Sequence, residues 1–120
     1  MTGSFSRNAG RITLRLYRPD EVAFDIEFLI DTGFAGEIKL SPYWIGTLRL
    51  PKLWNEEFTM ADGRVSPYEI YAAECEWAGE KRLVEAVEMV GEPMIGIDLL
   101  RDFSLFLEVR DGGAVEIKAL

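Results

Sequence analysis

The sequence predicts an all-β protein, a small antiparallel barrel or sandwich with one or two short helices. Three observations carry that expectation. Apolar and polar residues alternate over much of the chain, the pattern of strands covered on one face. Turn residues recur between the alternating runs, among them Pro19-Asp20, Asp62-Gly63 and Gly112-Gly113. With 120 residues, 48% of them apolar, the chain is large enough for one core and one domain.

The elements follow in order. Residues 1–10 are expected to be a flexible N-terminal segment, and residues 11–120 the single domain. In "RITLRLY", Ile12, Leu14 and Leu16 share a face; in "VAFDIEF", Val22, Phe24, Ile26 and Phe28 do the same. Pro19 fixes the backbone of the turn between them, so the two runs form a hairpin. "EIKLS" is a short strand. Ser41 and Pro42 then suit the cap and first position of a brief helix, which Gly46 weakens. "EEFTMADGRVSPYEIYAAECEW" gives two strands around Asp62-Gly63, a hairpin pair favoured because both central residues take positive φ. "AGEK" is a turn and "RLVEAVEMV" a strand. "GEP" breaks that strand, and "MIGIDLLRDF" passes from strand to a short helix starting around Asp98 and capped by it. "SLFLEV" and "AVEI" form a last hairpin, for eight to ten strands in all.

Composition excludes several functions. The net charge of −8 argues against nucleic acid, which needs a basic face, and disfavours anionic membranes. No apolar run approaches the ~18 residues of a membrane span, and "MTGSFSRNAG" lacks the pattern of a signal peptide. The single cysteine, Cys75, lies in a strand and reads as a small buried residue; a reducing, cytoplasmic setting is expected. The chain has no histidine, which removes Ser–His–Asp and Cys–His catalysis and the usual zinc sites. No glycine-rich phosphate loop is present. No cofactor or metal is expected, and carboxylates are the acid–base groups that remain.

One carboxylate stands apart. In "FLIDTGFAG", the apolar run Phe28-Leu29-Ile30 delivers Asp31 towards the interior, where a carboxylate is costly unless hydrogen-bonded. Asp31-Thr32-Gly33 alone is weak, since such a triplet arises by chance in roughly 2% of chains this long. An Asx-type turn is its plain alternative. Much later, "EPMIGIDLLRDF" carries an apolar pair, Gly96 and a helix start.

Taken together, "FLIDTGFAGEIKLSP", the hairpin "TMADGRVSPYEIY" and "EPMIGIDLLRDFSLFLEV" resemble the retropepsin-like aspartic proteases, and among them the compact single-domain bacterial members. The resemblance runs from Arg11 to Ile117. It implies a small closed antiparallel β-barrel and an aspartic endopeptidase active as a homodimer on peptide or protein substrates. Asp31 matches the catalytic acid, one from each chain. Two carboxylates about 3 Å apart share one proton, so one activates water and the other protonates the peptide carbonyl. Thr32 matches the residue that braces the pair and Gly33 the one whose carbonyl accepts from substrate. The hairpin from Phe58 to Tyr68 matches the flap, with Ala61, Asp62, Gly63 and Arg64 at its tip. Phe34 falls in the substrate pockets, where its bulk narrows the space near the scissile bond. Ile95 and Gly96 match the structural loop beside the site. Retroviral members carry a small residue and an acid after the triplet and a base after the late glycine; this chain has Phe34, Ala35 and Ile97 there. The terminal "AVEIKAL" matches a segment that joins an inter-chain sheet, a simple edge strand being the alternative.

Two other functions fit the residues. A non-catalytic binding or dimerisation module on the same fold is one. The other is a barrel holding an apolar ligand among Trp44, Trp54 and Trp77, although aromatic residues in β proteins are usually core.

Overall fold

The computed structural model describes residues 1–120. Ten strands and two short helices follow one another: β1 (Thr2–Ser6), β2 (Ala9–Tyr17), β3 (Ala23–Ile30), β4 (Ile38–Leu40), α1 (Pro42–Thr47), β5 (Lys52–Thr59), β6 (Val65–Trp77), β7 (Glu80–Glu88), β8 (Met94–Ile95), α2 (Ile97–Leu100), β9 (Phe103–Leu107) and β10 (Ala114–Ala119). The all-β expectation holds. No helix is long and apolar enough to cross a membrane.

The β2–β3 hairpin sets the core. Its register places Ile12 opposite Phe28, Leu14 opposite Ile26 and Leu16 opposite Phe24. Alternation therefore sends one apolar row inward, and Leu16 and Phe28 are fully buried. Ile38 and Leu40 of β4, Ala73 and Cys75 of β6, and Ile95 of β8 join the same cluster. At the far end of β6, Ala78 and Gly79 both take positive φ. This is the two-residue geometry that turns a hairpin tightly, and Trp77 faces Glu80 across it.

The strand order is β5-β6-β7-β4-β8-β3-β2-β1-β10-β9, with a further pairing between β6 and β2. That pairing joins Leu16 to Cys75, so the ladder from β6 through β7, β4, β8, β3 and β2 returns on itself as a ring. The expected sheet was wholly antiparallel. Two pairings are parallel instead, β3 with β8 and β4 with β7. The reason is that the two-residue β8 enters between β3 and β4, antiparallel to β4 and parallel to β3.

Three other expectations differ from the structure. The first ten residues are not a flexible lead: Thr2–Ser6 form β1, paired with both β2 and β10. Strand β10 is not free for another chain and is not an edge, because β1 and β9 cover its two sides. The tryptophans do not share a cavity. Trp77 is buried against Phe103, Trp44 packs at the core margin, and Trp54 is exposed.

Arg11 is a buried charge that alternation alone would place outside. Its guanidinium donates to the Ser6 carbonyl at 3.0 Å and lies 3.2 Å from Glu92 and 3.7 Å from Glu27. Buried charges persist where such partners exist. Here they tie β2 to the residues that lead into β8.

Cys75 sits in the core as expected, and burial pushes its thiol up to about 12. Its thiolate is therefore scarce in the folded protein. At mildly alkaline pH, a disulfide reagent should leave native Cys75 unmodified and label it fully in denaturant. Rapid labelling of the native protein would contradict this packing.

Candidate active site

Asp31 follows the last residue of β3 and opens a turn that the chain itself holds closed. Its N–H donates to the Ile95 carbonyl at 2.9 Å, and its own carbonyl accepts from Phe34 N–H at 3.1 Å. Its carboxylate Oδ1 accepts from Gly33 N–H at 2.9 Å, so the Asx-type turn is present. Asp31 is half-buried, while Thr32 and Gly33 are exposed. The interior position expected for Asp31 is thus a margin position, at the end of a strand that is buried only in part at Leu29 and Ile30.

Past the turn, the loop is fastened to the segment after β8. Gly96 N–H donates to Glu37 O at 2.8 Å, Ile97 N–H to Phe34 O at 2.9 Å, and Asp98 N–H to Gly36 O at 3.2 Å. The two motifs that the sequence separates so widely thus form one clasp. Gly96 makes it possible. A Cβ at this position would collide with the Gly36 carbonyl oxygen and stand 2.8 Å from Phe34 O and 2.6 Å from Phe34 Cδ2. Ile95 beneath it is fully buried. Asp98 does not cap α2; Gly96 occupies the cap position, and Asp98 pairs instead with Arg101 at 2.8 Å.

Above the clasp lies the β5–β6 hairpin. Phe34 meets Phe58 with ring centroids 6.2 Å apart, and Phe58 meets Tyr68 edge-on at 6.0 Å. At the tip, Met60 N–H donates to Arg64 O at 2.7 Å and Gly63 N–H to Met60 O at 2.9 Å. Only Gly63 has positive φ, not both central residues, because the connection is longer than a two-residue turn. Asp62 and Arg64 pair with each other at 2.6 Å.

Between hairpin and clasp is a cleft of about 320 Å³. Of the expected site residues, Asp31, Gly33, Phe34 and Ala61 line it. Thr32 does not, nor do Asp62, Gly63 and Arg64 at the exposed tip or Ile95 and Gly96 beneath the loop. Met60, Met89 and Met94 add apolar lining.

Sequence reasoning missed Lys39, which also lines the cleft and is 5% exposed. Burial pushes its ammonium below the usual lysine range, opposed by the charges of Asp31 and Glu92. The signal was present in β4. Ile38 and Leu40 take the core face, so Lys39 must take the opposite one; that this face is also covered is a tertiary fact.

No family model matches the sequence, and no curated protein matches it. Solved structures do match. A retropepsin-like aspartic protease from Rickettsia conorii superposes with a TM-score of 0.58 at 13% identity, covering 100% of this chain and 91% of that one. The fold is retropepsin-like. EIAV protease, in complex with the inhibitor HBY-793, gives a TM-score of 0.51 at 15% identity over 80% of this chain and 88% of that one. In this retropepsin-like fold, Asp31 occupies the end of a strand held by the Gly96 clasp.

The clasp should be sensitive to a single methyl group. Gly96→Ala is expected to lower stability by about 3 kcal/mol, the upper end of overpacking costs. Gly46→Ala, where nothing lies within 4 Å of the added carbon, should raise it by about 0.5–1 kcal/mol. Urea unfolding of both variants checks the contrast.

Proposed function

We propose that this chain is one subunit of an aspartic endopeptidase, active as a homodimer in which each copy supplies Asp31. The observation that carries the reading is the clasp. It holds an Asp-Thr-Gly turn rigidly at the base of a largely apolar cleft, within a retropepsin-like fold.

The chemistry needs two carboxylates sharing one proton. The ionised one takes a proton from water as the water oxygen bonds to the peptide carbonyl carbon. The protonated one gives its proton to the carbonyl oxygen, so the tetrahedral adduct forms without net charge. Collapse of the adduct breaks the C–N bond, with a proton passing to the leaving nitrogen. The single proton is shared by the pair and belongs to neither residue alone.

The remaining residues have assigned places in this proposal. Thr32, exposed beside Asp31, braces the partner copy's loop. Gly33 offers its carbonyl to the bound peptide. Phe34 narrows the pocket beside the scissile bond through its packing on Phe58. Ala61 touches substrate from the hairpin, while Asp62, Gly63 and Arg64 shape the tip that closes over it. Ile95 and Gly96 support the loop from below. No cofactor or metal enters the scheme.

A binding module on the same fold is the second reading. The hairpin tip favours it, because Asp62 and Arg64 engage each other in a charged knot.

Asp31→Asn should reduce peptide cleavage by roughly 10²–10⁴-fold or more, the range for losing an acid–base group. Parent-like cleavage by that variant would sink the peptidase reading. Activity should be highest at mildly acidic pH and fall as pH rises through the upper step of the pair, because the shared proton is then lost. Sedimentation should give a dimer under the assay conditions. A monomer that cleaves no denatured protein would favour the binding module.

A further inference from the structure

Lys39 is a buried cation without a direct counter-ion. It makes no ion pair within 4.0 Å. An ammonium carries three donors, and the only hydrogen bond found for this one is to the Val90 carbonyl, at a long 3.4 Å. Its neighbours are accounted for. Along β4 its register partner on β8 is Met94, and on β7 it is Val87. Gly91 crowds it from the loop before β8, since a Cβ there would stand 2.9 Å from Nζ. The acidic groups that act on it are Asp31 and Glu92. Glu92 is already engaged by Arg11 at 3.2 Å and Arg7 at 4.0 Å, and Asp31 accepts from Gly33.

Buried charges are ordinarily paired, because a lone one forfeits its hydration. Nothing in the chain completes the pairing for Lys39. The open side is the cleft, which Lys39 lines together with Phe34, Phe58 and Met60. Asp31 is the other charged group in this cleft, but it accepts from Gly33 and makes no ion pair with Lys39, so a ligand with an apolar stem and a carboxylate end supplies the partner that the ammonium lacks. Such a group gains a charge-assisted hydrogen bond that a neutral amide matches poorly.

We propose that Lys39 is a specificity-determining residue that makes the cleft prefer a peptide bearing an acidic side chain next to the position held at Asp31. The inference rests on the peptidase reading for the orientation of that peptide. Lys39 is not a catalytic residue in it; its ammonium receives the acidic side chain and sets the register of the chain across the site.

The test uses pairs of short peptides that differ only by Glu or Gln at one position, with that position walked along the peptide. Binding is measured by fluorescence anisotropy at neutral pH with the full-length Asp31→Asn protein, so that no peptide is consumed. Cleavage of the same pairs is measured with the parent protein. At one position the Glu peptide should bind about tenfold more tightly than its Gln partner, a difference of about 1.4 kcal/mol. Adding Lys39→Met should abolish the preference, and Lys39→Arg should keep it. Lys39→Met replaces the ammonium with an apolar group of similar length and should fold, which circular dichroism checks. Equal binding of Glu and Gln peptides at every position overturns the proposal, as does a preference that survives Lys39→Met. If the parent cleaves peptides without such a preference, the specificity inference fails and the peptidase reading stands. If binding depends on Lys39 but no peptide is cleaved, the reverse holds.

Discussion

The backbone clasp between the Asp31 loop and the segment after β8 is the constraint on which the rest depends. Surface loops are normally the most mobile part of a β protein. This one exchanges hydrogen bonds with Ile95, Gly96, Ile97 and Asp98 along nearly its whole length. Each bond contributes only about 0.5–1.5 kcal/mol net, but leaving its groups unpaired against protein costs more. The loop therefore cannot shift without also displacing β8, and β8 is locked by pairing with β3 on one side and β4 on the other. The placement of Asp31 is in this sense a property of the sheet.

The parts of the fold legible in the sequence are those where a local pattern decides the outcome. Alternation over Ile12–Leu16 and Phe24–Phe28 identified the β2–β3 hairpin because one face of it is core and the other is wet. Asp62-Gly63 located the β5–β6 turn, though not its geometry. The illegible parts are those settled by distant partners. Thr2–Ser6 has little apolar character of its own and becomes a strand because β2 and β10 offer free edges on both sides. A two-residue strand such as β8 has no periodicity to detect, so its parallel pairing with β3 could not be foreseen. Asp98 looked like a cap from its residue type, yet the tight approach of Gly96 to the loop determines where α2 begins.

The candidate site divides in the same way. Asp31, Gly33, Phe34 and Ala61 were legible from the motif and the hairpin, and the structure brings them to one cleft. Lys39 was not, because a lysine in a short strand reads as solvent-facing until both faces are known to be covered. Its presence changes the character of the cleft. A chain that is acidic overall, at −8, keeps a desolvated cation beside its most conspicuous carboxylate. The cleft thus holds one charge of each sign, Asp31 and Lys39, within a largely apolar lining.

The insertion of β8 between β3 and β4 also bears on the order in which the molecule is made. Strands β3 and β4 are adjacent in synthesis, but they cannot settle into their final places until residues near Ile95 arrive to separate them. Contacts between segments so far apart along the chain form late, after the entropy of closing a long loop has been overcome. On a ribosome adding residues one by one, the acidic turn would leave the tunnel long before the segment that shapes it. Until residues 95–98 have been added, the Asp-Thr-Gly turn therefore has only its local bonds, and the clasp closes on it afterwards.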